Sequence, residues 1–212
     1  MKKCVIIGGS EIRNYEWVKS HINEGDFCIY CDSGLYHLES LGAEPGLILG
    51  DFDSHPEPDM DVETIKLPTE KDDTDTVYAV KEAIKRGYTD FVLVGVIGKR
   101  FDHTLGNLSI LLMLHEKNLS AVIVDDYSEI RVISKENGVV TVDDDCKYFS
   151  ILCAGGCAKG IKIEDAKYNL ENADLTMEFP LGVSNEVLPG KMAKISVNEG
   201  RLFLIKIVDK NA

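Results

Sequence analysis

The sequence lacks any apolar run approaching the roughly 18 residues that a membrane-spanning helix requires. Its opening, Met1-Lys2-Lys3-Cys4-Val5-Ile6-Ile7-Gly8-Gly9, couples two lysines to a short apolar stretch. That stretch is too brief for the core of a signal peptide and reads as a buried first strand. Basic residues are scarce: 23 Lys and Arg stand against 36 Asp and Glu, giving the 212 residues a formal net charge of −13. Non-specific nucleic-acid binding needs a basic face, so this balance argues against it, and equally against an anionic membrane surface. Internal repeats and low-complexity linkers are lacking too. The six cysteines, at 4, 28, 31, 146, 153 and 157, are scattered, and the C-x-x-C pair falls within the strand-like run 27–31. Side chains three apart on a strand face opposite ways, so Cys28 and Cys31 are poorly placed to close a redox or metal pair. Buried free thiols in a reducing compartment, and hence a soluble cytoplasmic protein, are the expectation.

What is present forms a core. With 44% hydrophobic and 28% charged residues, the chain is neither disordered nor fibrous, and its length suits one domain or two. Short apolar segments at 4–7, 27–31, 47–49, 63–67, 91–94 and 121–124 alternate with helical periodicity at 14–22, 35–41, 74–86 and 104–117. Such alternation predicts a mainly parallel, Rossmann-like sheet with helices on both faces. From Tyr127 onward the pattern changes to strand-like runs at 131–134, 139–142, 148–153, 158–163, 175–179, 193–197 and 202–208. Asn137-Gly138, Gly155-Gly156 and Asn198-Glu199-Gly200 read as hairpin connections. This half is expected to be an antiparallel β-sandwich. The predicted domains are 1–124, α/β, and 125–212, all β.

The acid is uneven. The first 120 residues carry 21 acidic and 12 basic side chains, leaving 15 and 11 for the remainder. In open α/β sheets ligands bind beyond the carboxyl ends of the strands, and here those ends carry Gly8-Gly9-Ser10, Asp32-Ser33-Gly34, Gly50-Asp51-Phe52-Asp53-Ser54, Lys71-Asp72-Asp73-Thr74-Asp75 and Gly95-Val96-Ile97-Gly98-Lys99-Arg100-Phe101-Asp102-His103. In extended backbone Asp51 and Asp53 face the same way, and paired carboxylates repel unless a cation intervenes. Mg²⁺ favours such oxygen ligands, with Asp75 as a third carboxylate. Alternatively, Asp72 or Asp73 caps a helix that Thr74 starts. Lys71 and Arg100 supply the positive charge that, with a metal, suits a polyphosphate. Taken alone, Arg100 and Asp102 also read as a surface pair with a helix cap, and His103 as a structural histidine.

Together these segments, with Lys167-Tyr168-Asn169-Leu170 and Gly182-Val183-Ser184-Asn185-Glu186, resemble the thiamine pyrophosphokinase (thiamine diphosphokinase) family over nearly the whole chain. The resemblance implies transfer of the pyrophosphoryl group of ATP to the hydroxyl of thiamine, giving thiamine diphosphate and AMP. It implies Mg²⁺ on Asp51, Asp53 and Asp75, which with Arg100 form the catalytic set. Asp32, Lys71, Asp72, Arg100, Asp102 and His103 would bind ATP and its phosphates, and Ser184 and Asn185 thiamine. It also implies a homodimer with active sites between subunits, the second domain contributing to dimerisation. Two other readings stand beside it. One is a haloacid-dehalogenase-like phosphatase, in which Asp51 of Asp51-Phe52-Asp53 is the nucleophile; the other is a non-catalytic nucleotide or thiamine sensor.

Overall fold

The computed structural model describes residues 2–52, 59–70 and 72–208. The chain divides into two compact units, Met1–Asp126 and Tyr127–Ala212.

In the first unit the strands are β1 (Lys3–Ile7), β2 (Phe27–Cys31), β3 (Pro45–Gly50), β4 (Thr64–Lys66), β5 (Asp90–Val94) and β6 (Ser120–Val124). They pair in parallel in the order β4-β3-β2-β1-β5-β6. Both faces of the central strands are buried, which explains why they read as continuous apolar runs. On one face Val5, Ile7, Tyr30, Ile48 and Val92 share a core with Val18 and Leu41, from helices α1 (Tyr15–Lys19) and α2 (Leu38–Leu41). Helix α3 (Asp75–Lys85) packs on β1, β2 and β3, and α4 (Phe101–Glu116) on β6. Each aliphatic side chain fully buried here contributes about 1.5–3 kcal/mol relative to exposure.

The loops at the strand ends come into backbone contact. A Cβ on Gly8 would stand 2.6 Å from the Gly95 carbonyl oxygen, and one on Gly95 would strike the Gly8 carbonyl in return. Gly95 also has φ of 62°, a conformation that suits glycine. A Cβ on Gly34 would collide with the Ile7 carbonyl.

The second unit holds β7 (Ser128–Ser134), β8 (Val140–Asp143), β9 (Tyr148–Cys153), β10 (Cys157–Glu164), β11 (Leu170–Thr176), β12 (Met192–Ser196) and β13 (Arg201–Ile207). Strand β13 pairs antiparallel with β7 and β9, while β11-β10-β12-β8 form a separate antiparallel sheet. Ile133, Phe149 and Leu204 from one group share a core with Val142, Ile163 and Ile195 from the other.

The expected hairpins are not hairpins. The turns at 137–138, 155–156 and 198–200 each carry the chain between the β7-β13-β9 group and the β11-β10-β12-β8 sheet. Local turn chemistry reverses a chain without selecting its partner strand. The β10–β11 connection is the one that joins paired neighbours. The strand expected at 175–179 lies instead at Leu170–Thr176, a polar edge strand with irregular register. Among the thiols, five are buried and Cys157 is exposed.

Gly95→Ala should lower the unfolding free energy by about 3 kcal/mol, because clash is added to backbone strain. Gly87 also has positive φ, 84°, but has open space where a Cβ would lie. Gly87→Ala should therefore cost only about 1 kcal/mol, and equal urea midpoints for the two variants would refute the contact at Gly95.

Candidate active site

At the end of β2 the chain enters a 3₁₀ segment, Asp32–His37, and Asp32 takes a left-handed φ of 43°. For a residue other than glycine this costs on the order of 1–3 kcal/mol and persists only where the surroundings impose it. Gly50, ending β3, lies so close that its added Cβ would be 2.9 Å from Asp32 Cβ. Asp75 opens α3. Cys31 lies beside both acids, its Sγ 3.9 Å from the Asp75 carbonyl oxygen. Burial pushes the Cys31 thiol well up, and the charges of Asp75 and Asp32 add to the effect. Cys31 thus links the end of β2 to the start of α3, and Gly50, which precedes Asp51, lies against Asp32. Asp32 and Asp75 each bury their Oδ1. Burying anionic oxygen is unfavourable unless positive charge or donors offset it, so the donor chemistry of this corner suits a hard cation. Among the described residues, no three His, Cys, Asp or Glu side chains already form a group able to hold a metal. Asp53 and Lys71, expected at the site, lie outside the described residues.

The extended backbone expected across Asp51–Asp53 is interrupted. Phe52 has φ of 57°, and its side chain packs against the core. A large apolar residue between two acids is drawn inward and turns the chain. The cap of α3 is Thr74, whose Oγ1 accepts from Val77 N at 3.3 Å, and neither Asp72 nor Asp73. Asp73 accepts instead from Lys81 Nζ at 2.6 Å, and Asp72 is exposed.

After β5, Arg100 donates from Nε and Nη2 to the Asp102 carboxylate at 3.0 and 2.6 Å. The two side chains are 70% and 65% exposed, so the surface pair is what the structure contains. The guanidinium holds the Asp102 carboxyl well below the usual carboxylate range. His103 is exposed in the first turn of α4.

Sequence reasoning missed the residues that hold these loops. Buried Asn107 donates from Nδ2 to the Val96 carbonyl at 2.7 Å. Buried His37 lies 2.9 Å from the Ser10 carbonyl through Nε2 and 2.8 Å from the Tyr15 hydroxyl through Nδ1. A carbonyl only accepts, so Nε2 carries the proton and Nδ1 accepts from Tyr15. A polar residue on the apolar face of α4 was a legible signal for Asn107. His37, within the stretch 35–41 read as helical and found at the end of the 3₁₀ segment, offered none.

In the second unit Ser184 is exposed with φ of 58°, and its N–H donates to Ser150 Oγ at 3.0 Å. Asn185 is buried. Its Oδ1 accepts from the N–H groups of Tyr168 at 3.0 Å and Glu186 at 2.9 Å, while Nδ2 donates to the Tyr168 carbonyl at 2.8 Å.

The model of the thiamin pyrophosphokinase catalytic domain matches residues 18–123, and that of the thiamin pyrophosphokinase vitamin B1 binding domain residues 130–202. Thiamine pyrophosphokinase of Bacillus subtilis is 25% identical over 215 residues, covering 99% of this chain and all of that protein. The crystal structure of the Bacillus subtilis thiamine pyrophosphokinase superposes with a TM-score of 0.86 at 24% identity, covering 98% of this chain and all of that one. That of Geobacillus thermodenitrificans thiamin pyrophosphokinase gives 0.80 at 27% identity, covering 98% of each chain. The Candida albicans enzyme, at 14% identity, still gives 0.73, covering 97% of this chain and 88% of that one. Mixed α/β architecture and these matches define a transferase of the kinase class. The chain belongs to the thiamin pyrophosphokinase family and is an enzyme acting as a thiamine diphosphokinase.

His37 gives the first unit a pH dependence. Burial holds its imidazole below the ordinary 6.5, so the unfolded chain protonates before the folded protein does. The stabilisation is complete above pH 6.5 and is lost as pH falls through that value towards the lowered folded one. His37→Gln keeps a donor for Ser10 and an acceptor for Tyr15 but does not titrate. Urea melts should show the variant gaining on the wild type between about pH 7.5 and about pH 5.5. A pH-independent difference would exclude this role.

Proposed function

We propose that the site carries out pyrophosphoryl transfer from ATP to thiamine with Mg²⁺ held by Asp51, Asp53 and Asp75. The observation that supports this most directly is the burial of one carboxylate oxygen on each of Asp32 and Asp75, with Gly50, just before Asp51, lying against Asp32. In the reaction the thiamine hydroxyl oxygen bonds to the β-phosphorus. The bond from that phosphorus to the α,β-bridging oxygen breaks, AMP departs with that oxygen, and the hydroxyl proton passes to solvent. Bound Mg²⁺ would neutralise polyphosphate charge. Lys71 and Arg100 bring cationic side chains to the phosphates. Asp32, Asp72, Asp102 and His103 line the nucleotide side, and Ser184 offers its hydroxyl to thiamine. A loose transition state needs little nucleophile activation, so no general base is assigned.

The parallel strand order reads as Rossmann-like, and two antiparallel sheets sharing a core read as a sandwich. Met177, Phe179, Leu181 and Val183 are large apolar side chains exposed at alternate positions. Four large apolar side chains exposed within seven residues favour an interaction surface, which supports a homodimer with active sites between subunits. Five buried free thiols support a cytoplasmic setting, and among the described residues no helix is long and apolar enough to cross a membrane.

Incubation with Mg²⁺, ATP and thiamine should release AMP and thiamine diphosphate in equal amounts, and a chelator should stop both. Inorganic phosphate without AMP would establish the phosphatase instead. Asp53→Asn should lower turnover by at least about a hundredfold with an unchanged melting curve; near-wild-type turnover would remove Asp53 from the metal site. Light scattering should give twice the chain mass, and Phe179→Ser should shift the protein towards monomer. An unchanged dimer in that variant would place the interface elsewhere.

A further inference from the structure

Helix α4 holds the loop that leads into it. Two of its side chains, three residues apart and so neighbours on the helix surface, turn back onto residues 96–100. Buried Asn107 donates from Nδ2 to the Val96 carbonyl at 2.7 Å. Nearer the helix start, Thr104 reaches both ends of Gly98-Lys99-Arg100. Its N–H donates to the Arg100 carbonyl at 3.0 Å. Its Oγ1 accepts from the Gly98 N–H at 3.3 Å and donates to the Gly98 carbonyl at 3.5 Å. Residues 96, 98 and 100 are thus each bonded to α4. The loop also lies against the segment after β1, where Ser10 N–H donates to the Gly95 carbonyl at 2.8 Å. A Cβ on Gly98 would stand 2.7 Å from Ser10 Oγ. The Arg100 guanidinium itself meets exposed Asp102, and an exposed ion pair fixes a side chain weakly. Where that guanidinium stands is therefore set by the backbone of residues 98–100, which Thr104 fixes.

We propose that Thr104 and Asn107 are positioning residues for the nucleotide, and that their hold on residues 96–100 sets the affinity for its polyphosphate. This rests on the reading of Arg100 as a phosphate contact. A guanidinium binds phosphate best through two parallel N–H donors, so its placement matters. A loop that is already ordered also has less freedom to lose when the anion arrives. Asn107 is buried and the Thr104 hydroxyl is occupied by Gly98, so both act through the loop and not on the substrate.

Calorimetry with Mg·ATP on the full chain, set beside steady-state kinetics, tests this. Thr104→Val keeps the side-chain shape and removes the hydroxyl. It should weaken Mg·ATP binding and raise the KM for ATP about fivefold, with the KM for thiamine unchanged at saturating ATP. Thr104→Ser should restore most of the loss. Inorganic tripolyphosphate, competing with ATP, should weaken by the same factor as ATP. Asn107→Leu should act in the same direction. Thr104→Val added to Arg100→Ala should bring no further loss of Mg·ATP binding. Unchanged Mg·ATP affinity in Thr104→Val, equal losses for ATP and thiamine, or a loss that Thr104→Ser does not reverse would overturn the proposal. Additive losses in the double variant would overturn the action through Arg100. Should Asn107→Leu melt early, the Thr104 variants decide alone. Full Mg·ATP binding by Arg100→Ala beside a loss in Thr104→Val would refute Arg100 as the phosphate contact and keep the loop as the element that α4 positions. A wild type that binds Mg·ATP yet releases no AMP would refute the transfer reaction only, and the binding losses would then settle the role of Thr104.

Discussion

The first unit depends on backbone lying against backbone where its central strands end. Parallel neighbours run about 4.8 Å apart, so loops leaving the same edge compete for one small volume. Gly8 and Gly95 resolve that competition between β1 and β5, Gly34 between β1 and the turn after β2, and Gly50 between β3 and Asp32. Adding one methylene-sized group at any of these contacts would push a loop off the edge. The missing side chain at Gly50 leaves room for Asp32, which takes its left-handed conformation there. Packing and site geometry here have one cause.

That geometry sharpens the meaning of the acidic composition. Part of the −13 charge lies where the strands of the first unit end, and two carboxylate oxygens there, on Asp32 and Asp75, are buried. Arg100 is engaged by Asp102, but both are largely exposed. An exposed pair contributes little and is easily exchanged. Such a pair can exchange one anionic partner of the guanidinium for another.

How much of this was legible follows from the range of the interactions. Strands and helices of the first unit are written in local apolar periodicity, and their cores of Val, Ile and Leu leave little choice. The carboxylate clusters were visible because they sit directly after such strands. Partner choice in the second unit was not, since Asn137-Gly138 or Gly155-Gly156 turns a chain equally well within a sheet or between sheets. The Asp51-Phe52-Asp53 stretch reads as extended only if the core's demand for the Phe52 ring is ignored. For Thr74, the hydroxyl won the cap because Lys81 draws Asp73 away. Phe52 and the strand partners of the second unit are tertiary demands overruling a local preference, whereas the Thr74 cap is decided within its own helix.

Asn185 commits its side-chain amide to the backbone of Tyr168 and Glu186. Among the described residues, the buried polar side chains are His37, Asn107, Ser128, Ser134, Ser150 and Asn185. Four of them bond loops that carry site residues: His37 holds Ser10, Asn107 holds Val96, Ser150 holds the N–H of Ser184, and Asn185 holds Tyr168. Burying a polar group is unfavourable unless it is hydrogen-bonded, and losing one partner leaves the other exposed to the full desolvation cost. A loop tied this way therefore moves only by breaking a bond that nothing in the interior replaces. Ser184 and Tyr168 are exposed, while buried neighbours bond their backbones. In this protein the division between holding and touching follows burial.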